Sequence, residues 1–300
     1  MTPPFPHAGE LAALGTAACW TATSLAFEAA GRRSGSLPVN LIRLLLAIFL
    51  LGAFTWLTRG TPLPLDATAH NWAWLGLSGL VGFTIGDLCL FRAFVVVGAR
   101  VSMLLMTLVP VITAIGGFLV MGEVLSAKEL LGMALTILGV STVVWERRRT
   151  AAGLLERLPV GGILLGHAGA AGQAVGLVLS KYGMGDYNAF AATHIRVIVG
   201  SLGFAVVFTL TGWWPKVRAA LDDRRAMTAT GIGAVFGPFL GVSLSLLAVK
   251  YTEAGVAATL MALTPVLIIP VSVLVFREQV ARPAVLGAVV AVAGSALLFL

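Results

Sequence analysis

The sequence predicts an all-α membrane protein of ten transmembrane helices, arranged as two inverted five-helix repeats. Three observations lead to this prediction. First, 58% of the 300 residues are hydrophobic and 11% are charged, whereas a soluble domain carries about 25% charged residues because its surface faces water. Second, apolar runs of the roughly 20 residues needed to cross a bilayer recur along the chain. Third, the second half of the sequence repeats the first.

The apolar runs follow one another with short connections, which leaves no room for a separate soluble domain. They cover residues 11–30, 38–58, 72–97, 101–121, 128–145, 160–181, 188–211, 227–250, 254–276 and 283–300. The first ten residues lack a basic stretch, so the first run is expected to be a retained span rather than a cleaved signal peptide.

The internal repeat is the most specific feature of the sequence. A shift of 155 positions, without a gap, aligns Ala99 with Ala254, Pro110 with Pro265, Glu123 with Glu278, Gly132 with Gly287 and Gly139 with Gly294. Chance matches of Leu and Val are common in apolar segments, but a shared register of Pro, Glu and Gly is not. We therefore predict one repeat in residues 1–150 and another in residues 151–300. An odd number of helices per repeat inverts the second one, as in proteins that work by alternating access.

The basic residues outside the spans predict the orientation of the chain. When the loops are assigned alternately to the two sides, thirteen Lys and Arg residues fall on one side and four on the other. Basic loops stay in the cytoplasm, so we predict a multi-pass protein of the inner or plasma membrane with both termini outside the cytoplasm. These loops also account for the net charge of +7, and no nucleic-acid partner is predicted.

Two segments carry a resemblance to a known family. They are LLMTLVPVITAIGGFLVMGEVLSAKELLGMALTILGV and TLMALTPVLIIPVSVLVFREQVARPAVLGAVVAVAGS. Each has Pro in the fourth helix of its repeat, Glu at the end of that helix and Gly twice in the fifth. The chain thereby resembles the EamA-type branch of the drug/metabolite transporter superfamily. This resemblance implies a central cavity lined by the first four helices of each repeat, and export or import of amino acids, metabolites or drugs. Basic residues, common at the cytoplasmic termini of such proteins, are nearly missing here.

Polar residues inside the spans are the candidates for solute binding, because a charge within a bilayer is costly and usually faces the bundle interior or water. The candidates are Trp20, Arg43, Asp87, His167, Gln173, His194 and Arg196. Arg43 and Arg196 correspond under the repeat, and solute contact and a structural ion pair are equally open roles for them. Asp87 is too deep and too short to reach a headgroup layer, so we expect a substrate ligand or proton carrier with Arg43 as its partner. A lone His in a helix bundle is more often a satisfied core group.

Other polar residues are predicted to be structural. Glu28, Lys181 and Lys250 lie near helix ends, where long side chains reach the membrane interface. Glu123 and Glu278 are predicted to accept N–H groups from the start of the helix that follows each of them.

An intramembrane enzyme is the alternative class. Gly183-Met184-Gly185-Asp186 matches the GxGD motif of intramembrane aspartyl proteases, which would need Asp87 as a second carboxylate at similar depth. Asp186 lies in a predicted turn, which disfavours this class. The sequence lacks HExxH, GxSxG and Walker A motifs and has two Cys without CxxC spacing, so no enzymatic activity, cofactor or metal is predicted.

The sequence therefore predicts a secondary transporter of a small solute. Interior cations outnumber interior anions, which favours an anionic or zwitterionic solute such as an amino acid. The identity of the solute, the direction of flow, the coupling ion and the oligomeric state, monomeric or larger, are left open by the sequence.

Overall fold

A computed structural model describes residues 5–97, 102, 105–151, 159–274 and 281–299, and every regular element in these residues is helical. The first half contains α1 (Ala8–Ser34), α2 (Ser36–Arg59), α3 (Ala69–Gly79), α4 (Asp87–Val96), α5 (Val109–Met121) and α6 (Ala127–Ala151). The second half contains α7 (Val160–Met184), α8 (Ala189–Thr211), α9 (Trp214–Asp222), α10 (Arg224–Ala234), α11 (Val242–Tyr251), α12 (Ala254–Met261), α13 (Thr264–Leu274) and α14 (Arg282–Leu297).

Seven helical stretches of the described residues are long and apolar enough to cross a membrane. They are Ser36–Arg59, Ala69–Ala93, Ala127–Trp145, Val160–Met184, Ala189–Thr211, Arg224–Tyr251 and Ala254–Val271. Large apolar side chains on these helices face outward, such as Leu57 and Leu210, which are 83% and 81% exposed. Such a surface suits lipid rather than water. The chain is a multi-pass membrane protein.

Two π-helical segments connect the paired halves of what the sequence predicts as single spans. The first π segment, Leu80–Gly86, joins α3 to α4, and the second π segment, Val235–Gly241, joins α10 to α11. They start 155 positions apart, which is the shift of the sequence repeat. A π segment widens the helix locally, frequently at functional sites. The repeat thus extends to an irregularity of the backbone that hydropathy does not reveal.

The structure differs from the predicted spans at two further places. The span predicted at 254–276 is divided into α12 and α13, because Pro265 lies in the first turn of α13 and cannot continue the preceding helix. Pro110 likewise lies in the first turn of α5. In addition, the short helix α9 lies in the connection predicted between residues 211 and 227.

Close helix packing depends on glycine. A Cβ atom on Gly172 of α7 would lie 2.7 Å from the Cα atom of Gly86, and one on Gly132 of α6 would lie 2.9 Å from the carbonyl oxygen of Gly294 in α14. These distances are too short for a side chain, so the backbones approach as in other small-residue membrane interfaces. The contact of α7 with the first π segment joins the two halves of the chain beside Asp87.

Candidate functional site

Asp87 is the centre of a buried polar network. The residue is 5% exposed, and both carboxylate oxygens accept hydrogen bonds. Oδ2 accepts from Arg43 Nη2 at 2.5 Å and from Asn40 Nδ2 at 3.2 Å, and Oδ1 accepts from Gln173 Nε2 at 2.8 Å. The ion pair that the sequence predicts between Asp87 and Arg43 is present.

The local folds of three helices position this network. Asn40 and Arg43 are three residues apart on α2, so they project from the same face. Asp87 follows the first π segment and begins α4. Gln173 on α7 bonds both to Asp87 and to the carbonyl oxygen of Gly82, at 3.2 Å. The network therefore links both halves of the chain, since Gln173 alone comes from the second half.

The charges of Arg43 and Asp87 neutralise each other, but burying both ions costs hydration free energy. A buried ion pair gains stability only when further hydrogen bonds satisfy its remaining polar atoms, because both ions lose hydration. Asn40 and Gln173 provide such bonds to the carboxylate of Asp87. Loss of one partner leaves the other charge uncompensated in a site of low dielectric, so the members act as a unit.

Arg196 occupies a different environment from its repeat counterpart Arg43. It is 5% exposed, and its guanidinium lies 4.9 Å from the ring centroid of Phe83 on the first π segment. Its Nε atom has no hydrogen-bond partner, as is also true of Arg43 Nε, but unlike Arg43 the side chain forms no ion pair with any residue that the structure describes. Arg43 lies over Phe27 at 5.0 Å but also reaches Asp87. Both arginines thus stack on aromatic rings, but only one is paired.

Arg196 nevertheless lies beside the network. Its Nη2 atom would be 3.5 Å from a Cβ atom on Gly82, the residue whose carbonyl oxygen accepts from Gln173. Three predicted site residues, Arg43, Asp87 and Gln173, are therefore in direct contact, and Arg196 is adjacent to them.

The other predicted site residues are not bonded to this network in the described residues. His194 is fully buried, with neither ring nitrogen bonded. His167 is exposed, and its Nδ1 lies 2.9 Å from the carbonyl oxygen of Ile163 in its own helix. Trp20 is partly buried and packs against Gly241, the last residue of the second π segment. Sequence reasoning missed Asn40, although its spacing of three residues from Arg43 on one helix was a usable signal.

Glu123 is part of a second connection between the halves. It forms an ion pair with Lys181 and accepts the backbone N–H of Ala254, at 2.9 Å. The prediction that Glu123 accepts from the following helix is wrong, because Ser126 and Glu129 cap α6 themselves. Glu278 lies outside the described residues.

The three residues predicted to reach the membrane interface have different environments. Lys181 is held by Glu123 and by the carbonyl oxygen of Thr252. Lys250 donates to the carbonyl oxygens of Asp186 and Tyr187 at 2.9 and 3.1 Å. Glu28 is exposed and pairs with an exposed arginine one turn further along α1. Both lysines therefore bind backbone carbonyl oxygens near helix ends, and their position at the membrane interface stays a prediction.

The described geometry does not support an aspartyl protease dyad. Asp186 is exposed in the turn between α7 and α8, and the groups bonded to Asp87 are an arginine and two amides. Among the described residues there is also no cluster of three or more His, Cys, Asp or Glu side chains that could hold a metal ion.

Two pockets lie at opposite ends of α8. One of about 440 Å³ is lined by the connection between α1 and α2 together with Trp213, Lys216 and Asp223. The other, about 310 Å³, is lined by Met121, Lys250 and residues 181–186. Arg196, which is adjacent to the Asp87 network, lies between these two ends of α8.

Comparison with known proteins identifies the family. A model of the EamA-like transporter family matches residues 7–145 and 160–300, which together make up most of the chain. Comparison with curated proteins gave no match. A solved structure described as "Crystal structure of protein" matches with a TM-score of 0.73 and 19% identity, over 98% of this chain and 96% of that one, which supports the fold. The chain belongs to the EamA-like transporter family, within the drug/metabolite transporter superfamily.

Proposed function

We propose that the protein is a secondary transporter that moves a small metabolite across the inner or plasma membrane by alternating access. Its family consists of transporters, and its long apolar helices suit a bilayer. The proposal includes ten membrane-spanning segments in two inverted repeats, with α3 and α4, α10 and α11, and α12 and α13 each serving as one segment. The solute proposed from the excess of interior cations is anionic or zwitterionic, such as an amino acid.

The observation that carries this proposal is the hydrogen bond from Gln173 to Asp87. It joins the second half of the chain to a buried carboxylate of the first, at a place where glycines bring the backbones together. Alternating access requires the two repeats to move relative to each other around a central site. Such a movement would exchange the Gln173 bond for solute or water while Arg43 keeps the charge of Asp87 compensated.

Asp87 has two possible roles in this cycle, and the structure suggests how to separate them. As a ligand, it would contact the solute when Gln173 moves away. As a proton carrier, it would load a proton on one side of the membrane and release it on the other. The substitution Asp87→Asn is nearly isosteric but removes the titratable group. If Asp87 is a proton carrier, this variant should keep solute exchange and lose uphill transport. If Asp87 is a ligand, the variant should lose both.

The experiment uses purified protein in liposomes. The solute is first identified by comparing metabolites of cells that lack and cells that overproduce the protein. Uphill uptake under a proton gradient and exchange without a gradient are then measured for the wild type, Asp87→Asn and Arg92→Gln, an exposed arginine near Asp87 that serves as control. Unchanged uphill transport by Asp87→Asn would show that the carboxylate is structural, and a wild type inactive toward every candidate solute would refute transport.

A further inference from the structure

The two repeats differ in buried charge at one pair of equivalent positions. The π segments are equivalent, so Asp87, which follows the first, corresponds to Val242, which follows the second. Arg43 and Arg196 are equivalent as well. The first repeat therefore has an arginine and its carboxylate, whereas the second has kept the arginine and has valine in place of the carboxylate.

Arg196 is consequently a buried cation without an acidic partner in the described structure. Arginine does not lose its proton in proteins, so the charge persists. An uncompensated charge within a bilayer is energetically costly. Stacking on Phe83 compensates part of this cost, but the Nε–H group of Arg196 is left without an acceptor.

No described carboxylate near Arg196 is available to pair with it. Both oxygens of Asp87 already accept hydrogen bonds from Arg43, Asn40 and Gln173. The described core around Asp87 thus contains two arginines and one carboxylate, an excess of one positive charge. A bound monoanion would neutralise it.

We propose that Arg196 is the subsite that binds a carboxylate group of the transported solute. A guanidinium presents its N–H groups in a planar fork that matches the two oxygens of a carboxylate. The ring of Phe83 lies on one side of this guanidinium, 4.9 Å from it. This inference rests on the proposed function and names the chemical group by which the solute is recognised.

Binding is tested with matched pairs of small molecules that differ in charge. The probes are acetate with acetamide and benzoate with benzamide, added to the purified protein in detergent, and the readout is the shift in thermal unfolding. Each carboxylate should stabilise the wild type and each amide should not. Arg196→Gln should weaken carboxylate binding by about tenfold to a hundredfold, as expected for loss of a charge-assisted hydrogen bond. Arg196→Lys should recover part of it, and Arg92→Gln should bind as the wild type does.

A second variant tests the same idea without removing the arginine. Val242→Asp places a carboxylate at the position equivalent to Asp87, where repeat symmetry predicts that it pairs with Arg196 as Asp87 pairs with Arg43. This variant should lose the response to carboxylates while Val242→Asn, which adds a polar group of similar size without charge, should keep it. The pair therefore separates neutralisation of Arg196 from a general disturbance of the core.

Several outcomes would overturn the inference. They are equal stabilisation by amides and carboxylates, unchanged binding in Arg196→Gln, and a wild type that responds to no carboxylate, as would follow if Asp87 itself moves to Arg196 in another state. Failure of the proposed function gives a different result. A protein that binds carboxylates through Arg196 but transports nothing refutes transport alone, whereas normal transport and binding by Arg196→Gln refute the subsite alone.

Discussion

Removal of one member of the Arg43–Asp87 pair should destabilise the protein far more than removal of both. Asp87→Leu leaves the guanidinium of Arg43 buried without its carboxylate and also removes the acceptor of Asn40 and Gln173. Arg43→Leu leaves the carboxylate of Asp87 with amide donors only. The double variant contains neither charge, so the penalty of an unpaired ion disappears.

The magnitude follows from the burial of the pair. The side chains of Arg43 and Asp87 are 14% and 7% exposed, and their charged atoms are 2.5 Å apart. Breaking such a pair from one side costs about 3–5 kcal/mol, while replacing the whole pair by apolar groups is often neutral or stabilising. Each single variant should therefore lose about 3–5 kcal/mol of unfolding free energy, and the double variant about 0–2 kcal/mol because Asn40 and Gln173 still lack their acceptor.

A double-mutant cycle in a fixed detergent measures this difference. Unfolding by increasing SDS in mixed micelles is followed for the wild type, both single variants and the double variant. The coupling free energy is the amount by which the summed losses of the single variants exceed the loss of the double variant. A coupling below about 1 kcal/mol would refute the reasoning, because it would mean that water or lipid headgroups already screen the pair.

Two further predictions concern the orientation of the chain in the membrane and the carboxylate of Asp223. The unequal distribution of loop Lys and Arg residues predicts non-cytoplasmic termini, so a reporter that fluoresces only in the cytoplasm should stay dark when fused after Leu300, and bright intact cells would contradict the orientation. The backbone N–H of Ala226 and the guanidinium of Arg33 lower the pKa of Asp223. Its stabilising effect is therefore complete above the ordinary carboxyl pKa of about 4 and is lost as the pH falls through the lowered value. The stability difference between wild type and Asp223→Asn should be constant from pH 8 to about pH 5 and should shrink on further acidification; a difference independent of pH would exclude this role.

Much of the fold could be predicted because several independent features of the sequence indicate the same architecture. Length, apolar content and the ungapped register at 155 positions identify a membrane protein with a duplicated half, and the family match confirms the resemblance. The π segments were not predictable, since one extra residue in a turn shifts the phase of a helix without changing its composition. The short helix α9 was missed because its polar sequence resembles a loop.

Prediction of the candidate site depended on membrane depth. A carboxylate as deep within a span as Asp87 needs a compensating group, and Arg43 on the neighbouring helix was the nearest candidate cation. This pair could therefore be inferred from the sequence. Asn40 carries no charge, and its only signal was its spacing of three residues from Arg43 on the same helix. The partner of Glu123 could not be predicted either, because the N–H group of Ala254 approaches it only after the two halves have packed together. Sequence reasoning therefore recovered the ion pair deep within a span and missed contacts that form when the two halves pack together, among them the Glu123–Lys181 ion pair.

The difference in charge between the repeats affects any mechanism in which the two repeats exchange conformations. A protein with an acid in both repeats would have two self-compensated arginine pairs, and its core would offer no free charge to a solute. Substitution of Val242 for the second acid leaves the backbone irregularity in place but releases Arg196 from an internal partner. One repeat then keeps an ion pair between α2 and α4, while the other has a buried arginine without an ion pair among the described residues. The duplicated fold thus provides equivalent positions, one with an ion pair and the other with the arginine for which we propose a carboxylate ligand.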